Sequence, residues 1–165
     1  DISDRAVLQT QRAWVGPRSA KITSAIEIGK PIELAIEYAN TGREPAVNMN
    51  YTVDAFSASE AEEKRGTSFA KLTRGLNQCR STNEVSGGQV VFPTTGFSAY
   101  NLAVTVPNQT INQEIVEGKQ AIIVQGCFLY RSFDVIHRSY FCYFYKANST
   151  KPENLNICIN GHHAD

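Results

Sequence analysis

The chain has 165 residues, with sixteen basic side chains balanced by sixteen acidic ones, and 42% of its residues are hydrophobic. That length suits one domain with a core large enough to fold without staples. The cancelled charge supplies no general field for nucleic acid or anionic lipid, no run of four Lys or Arg occurs, and no apolar stretch approaches the ~20 residues of a membrane helix.

Residues 1–12 read as a polar, helix-tolerant lead-in or stalk, and an ordinary frayed terminus is the plain alternative. Because the chain starts at Asp1, a removed leader or a placed boundary is expected. A first strand is expected near Ala13–Thr23, where Gly16-Pro17 marks a bulge or an edge. From Pro31 to Ala39 the pattern is clearer. Ile32, Leu34, Ile36 and Tyr38 alternate with mostly polar residues, the period of a half-buried strand. Asn40-Thr41-Gly42 supplies turn chemistry, and Val47, Met49, Tyr51, Val53 and Ala55 resume the alternation.

Residues 57–88 break the strand period. Ser59 and Glu62 stand at capping-box spacing, and Phe69, Leu72 and Leu76 recur at helical spacing, so a helical insert is expected there. Strand patterns return at Gln89–Phe92 and at Ser98–Val106, which Pro107 closes. Thr110 and Gln113 are spaced to cap a short helical crossing over residues 111–118. The last pair, Gln120–Tyr130 and Ile136–Tyr145 around a turn at Phe133-Asp134, is the strongest hairpin in the chain. If Cys127 lay opposite Cys142, Arg131 would face Arg138, an unfavourable pair that predicts a one-residue shift of register. About seven strands with turns between them predict an all-β, immunoglobulin-like sandwich over residues 13–165, with the insert at 57–88.

Cys79, Cys127, Cys142 and Cys158 form no CxxC pair, which argues against a zinc ribbon or a thioredoxin-type site. Two disulfides in an oxidising compartment are expected, with four buried thiols as the alternative. Of three possible pairings, Cys142 with Cys158 would pin the tail to the last long strand, leaving Cys79 for Cys127. Sequons at Asn50, Asn108 and Asn148 are compatible with secretion but too short to carry weight.

The blocks RAWVG, GKPIELAIEYANTGREPAVN and YRSFDVIHRSYFCYFY resemble those of uncharacterised proteobacterial envelope proteins. In that family a membrane segment precedes one immunoglobulin-like domain. The resemblance covers Arg12 to Cys158 except the insert. It implies a periplasmic domain tethered to the inner membrane through a segment outside this sequence, and it transfers no catalytic residue.

Candidate sites are few. The tail carries His162, His163 and Asp165, suitable donors for zinc, copper or nickel, although adjacent residues on an extended chain point apart. His137 near a cysteine is a conceivable nucleophile–base pair, but its place beside the turn predicts a solvated or sheet-edge ring. No nucleophile-elbow motif occurs and no cofactor is indicated. On the aromatic strand, Tyr140 and Phe144 share the face away from Phe141 and need a cover. The insert, through Phe69 and Leu72, is the plain one. A partner protein or a sugar is the alternative. The chain therefore reads as a non-enzymatic, membrane-tethered envelope module that meets an unknown protein through a strand edge or the insert. Carbohydrate or metal binding is the runner-up.

Overall fold

The computed structural model describes residues 2–59, 74–94, 99–159 and 161–165. Two antiparallel sheets face each other across one core. The smaller has three strands in the order β1 (Val15–Ile22), β2 (Pro31–Asn40) and β5 (Tyr100–Thr110). The larger runs β4 (Gln89–Val91), β3 (Ala46–Ser59), β6 (Gln120–Ser132), β7 (Val135–Tyr145) and β8 (Asn156–Ile157), with β9 (His163–Ala164) also on β7. Among the described residues three helices accompany them: α1 (Ile2–Gln11), α2 (Arg74–Ser81) and α3 (Gln113–Val116). None of the described helices is long and apolar enough to cross a membrane.

The period of two places the core as expected on β2, where Ile32, Leu34, Ile36 and Tyr38 are all buried. On β3 it holds only in part. Met49 is buried, but Val47 is turned outward and Ala46 is buried instead. The cause is a bulge: the β3–β6 register slips between Val47 and Asn50, and Asn48 takes φ 52°, a conformation Asn tolerates. β3 also runs on through Ser59, which pairs with Gln120. Glu62, Phe69 and Leu72 lie outside the described residues. The short crossing helix forms, but its cap is Asn112, whose Oδ1 accepts from Ile115 N at 2.9 Å, and not Thr110.

The β6–β7 hairpin turns at Phe133 (φ 50°) and Asp134 (φ 61°), two left-handed residues in a row, the geometry of a two-residue hairpin loop. That loop places Cys127 opposite Tyr140, two residues from the Cys142 pairing rather than one. A shift of two keeps each side chain on its face, and Arg131 now meets Ile136 while Leu129 meets Arg138. Gly126 sits opposite Phe141, and a Cβ there would collide with the Phe141 ring. Phe141, Tyr143 and Tyr145 fill the core beside Phe128 and Tyr130, and burial pushes the Tyr143 phenol up to about 12.

Both disulfides form, Cys79–Cys127 and Cys142–Cys158, and leave no free cysteine. Neither crosses the core. Cys127 belongs to a second cluster on the outer face with Leu76, Cys79, Val85 and Leu129, so one bridge fastens α2 over that face. Cys142 and Cys158 join a third cluster with Ala58, Ala121 and Ile123, so the other fastens the tail.

The segment before β1 is held by Asn40, which is fully buried. Its Oδ1 accepts from Trp14 N and Gly42 N, and its Nδ2 donates to Glu44 O and Val91 O. Every capacity that matters is used, as burial of an amide requires. Gly42 is needed because a Cβ there would strike the backbone at Arg12 and Ala13. Tyr130 adds hydrogen bonds to Ala13 and Val15, and Ser132 Oγ accepts from Ala13 N.

Candidate functional site on an open sheet edge

Tyr140 and Phe144 are half-buried on the outer face of β7, as expected. Tyr140 packs with the cluster beneath α2, and the His163 ring stacks on it at 4.4 Å. Phe144 packs with the cluster beneath the tail. The cover is thus the chain itself, through α2 and the tail. Phe69 and Leu72 lie outside the described residues.

The three tail groups turn to different partners. His162 Nε2 lies against the Cys142 peptide, 2.6 Å from its carbonyl oxygen. His163 is on Tyr140, and Asp165 Oδ1 accepts from Arg138 N at 2.6 Å. Among the described residues no three His, Cys, Asp or Glu side chains are grouped to hold a metal ion.

His137 is buried rather than solvated, because the register turns it inward opposite Tyr130. Its Nδ1 stands 2.7 Å from Arg12 Nη1, which can only donate, and 3.3 Å from the Asp165 carbonyl oxygen. Burial, reinforced by the Arg12 charge, lowers its pKa. The Arg12 guanidinium also lies 3.6 Å over the Trp14 ring. With every cysteine bridged, neither His137 nor His162 faces a thiol.

A sheet edge carries unpaired N–H and C=O groups, and native proteins shield it with charge, proline, bulges or a cover. Two of the four edges are capped or covered by other described segments, and at a third the short β4 pairs only with Ala46 and Met49 of β3. β1 has a bulge between Pro17 and Ser19, carries Arg18 and Lys21, and is capped by the Ile22 N–Pro152 O and Leu155 N–Ala20 O bonds. β4 is three residues long. β7 is covered by β8 and β9, with Cys158 N on Cys142 O and Asp165 N on Arg138 O between and beyond them.

β5 is different. It pairs with β2 in unbroken register from Tyr100 to Val106, and among the described residues nothing pairs with its other edge. Tyr100–Val106 reads YNLAVTV, without a charge. Leu102 and Val106 point into the core and are buried, whereas Tyr100 and Val104 are only half-buried. On the facing sheet Val53 and Ala55 are likewise half-buried, and Tyr51 is 40% exposed. Asn101, Ala103 and Thr105, on the outer face, are exposed.

One end of this edge is aromatic. Tyr38 stacks on Tyr100 at 5.5 Å, and its hydroxyl donates to Gln89 Oε1. Burial, with the neighbouring Tyr100 and Tyr51 phenols, raises the Tyr38 pKa. Phe92 N donates to Tyr100 Oη, which ties the exposed Val90 and Phe92 to the same end.

Three other concavities lie among the described residues. A cleft of about 260 Å³ between β1 and β7 is lined by Trp14, Pro17, Ser139, Tyr140 and His163. Grooves of about 300 and 600 Å³ flank the loop at 84–86, the second mixing Glu84, Asp134, Arg131 and Arg138.

The sequence reading missed the β5 edge. Its one signal was the absence of any charged residue or histidine between Glu84 and Glu114. Comparison with known families, with curated proteins and with solved structures returned no match.

Proposed function

We propose that the chain is a non-enzymatic binding module of an oxidising, extracytoplasmic compartment, which takes up an extended segment of a partner protein along β5. The observation that carries this reading is the edge itself: seven uncharged, regularly paired residues that no other described residue pairs, whereas β1 and β7 are capped or covered. Main-chain hydrogen bonds supply affinity in such an addition, and alternate side chains supply specificity. The two disulfides support the compartment, since a reducing cytosol does not sustain such bridges. The strand order β1-β2-β5 against β4-β3-β6-β7 supports an immunoglobulin-like reading. Tethering to an inner membrane, in a periplasm, rests on the resemblance of RAWVG, GKPIELAIEYANTGREPAVN and YRSFDVIHRSYFCYFY to envelope proteins.

Photo-crosslinking tests this reading in the cells that make the protein. A photoreactive residue at Ala103 should yield discrete adducts, and one at Lys21, on the capped edge, should not. Equal backgrounds at both positions would count against it.

The cleft beside Trp14 favours a second reading, a small ring-bearing ligand such as a pyranose, because Tyr140, His163 and Trp14 offer ring faces there. Trp14 is the only tryptophan, so its fluorescence reports occupancy directly. A saturable change on titration with monosaccharides would support it, and a flat response would remove it.

A further inference from the structure

We infer that the segment received by β5 is an uncharged strand of about seven residues whose alternate side chains are apolar and complete the core between the sheets. The inference rests on the proposed strand addition and specifies its partner. Burial decreases towards this side of the sandwich. At inner positions of the central strands, Leu34, Ile36, Val124 and Phe128 are at most 1% exposed. At the β5 side, Tyr100, Val104, Val53 and Ala55 remain half-buried and Tyr51 is 40% exposed. Among the described residues, no further strand covers the apolar groups at that end of the core.

A strand laid beside β5 would continue the pleat, so every second side chain would point over Val104 and Val53. An apolar residue there removes surface from water on both partners, whereas a charged one is desolvated without a counter-ion. The other positions would lie beside Asn101, Ala103 and Thr105, which are small and exposed and make little demand beyond the absence of bulk. Length follows from register. The ladder with β2 jumps from the Val106 pair to the Thr110 pair, so the straight edge is Tyr100–Val106. Nothing charged on that edge opposes an uncharged strand or attracts an acidic or basic one.

Two synthetic heptapeptides test the inference, one alternating Thr and Val, the other of identical composition with its Val residues consecutive. Both carry the same two-lysine tail for solubility. The readout is residue-resolved hydrogen exchange of the β5 amides in the intact, oxidised protein. The alternating peptide should slow exchange across residues 100–106, and its isomer should need a concentration about tenfold higher or more, the ratio expected if two or three apolar side chains are buried by one peptide alone. Tyr51→Ser should narrow that ratio while leaving the protein folded, since Tyr51 is 40% exposed. Equal protection by both peptides would overturn the apolar specification and leave strand addition standing. Protection by neither would overturn both.

Discussion

The two sides of the sandwich solve the edge problem in opposite ways. On the β1 and β7 side the chain covers itself: residues 152–155 cap β1, β8 and β9 pair with β7, and Cys142–Cys158 holds the cover in place. Arg138 extends the arrangement, because its guanidinium donates to Cys79 O and Thr82 O at the end of α2 while its backbone N–H engages Asp165. On the β5 side no described residue does any of this, and the apolar groups behind the edge are incompletely covered. An edge left unpaired is an aggregation liability, and the proposed strand addition would cover it.

If this contrast is real, the two sides should respond differently to substitution. The largest effect is expected at the junction that both sheets share. Asn40→Ala leaves the Trp14 and Gly42 amides and the Glu44 and Val91 carbonyls without their partner, and a loss of about 3 kcal/mol or more in denaturant unfolding is expected. Next comes the covered side. Replacing Cys142 and Cys158 together by Ala opens a 16-residue loop and should cost about 3 kcal/mol, with faster exchange confined to the tail and β7. A cost near zero would mean that the tail is held without its bridge.

A smaller effect should appear with pH. The folded-state pKa of His137 is lowered, first by burial and then by Arg12, so the unfolded chain binds its proton more readily. Stability is therefore complete above the ordinary histidine range near ~6.5 and is lost as pH falls through it towards the lower folded value. His137→Gln should flatten that slope below neutrality. The smallest effect on stability is expected at the open edge. Asn101→Lys and Thr105→Lys lie on exposed positions and should change unfolding by less than about 0.5 kcal/mol, yet they should abolish crosslinking from a photoreactive residue at position 103. A large loss of stability with either would show that the edge is covered.

Much of the fold was legible because strand alternation and turn chemistry are local. Ile32–Tyr38, the Phe133-Asp134 turn and the Gly16-Pro17 irregularity all lie where the pattern puts them. The disulfides were legible too, since one pairing follows once the tail is assigned to β7. What failed was what depends on a single backbone residue. The bulge at Asn48 turned Val47 outward, and the tight two-residue loop set a register that charge repulsion between Arg131 and Arg138 could reject but not choose. The candidate site was hidden for a different reason. Whether a strand edge is open depends on what other segments do, and YNLAVTV carries the same alternation whether it is covered or bare. Tyr140 and Phe144 drew attention as conspicuous aromatics, but they meet α2 and the tail.

The most direct measurement is residue-resolved hydrogen exchange of the free, oxidised protein, comparing β5 with β7. Alternate amides from Tyr100 to Val106 should exchange rapidly while those facing β2 stay protected, and residues 138–144 should be protected along the whole of β7. Uniform protection along β5, equal to that of β7, would show that the edge is already occupied and would contradict the account.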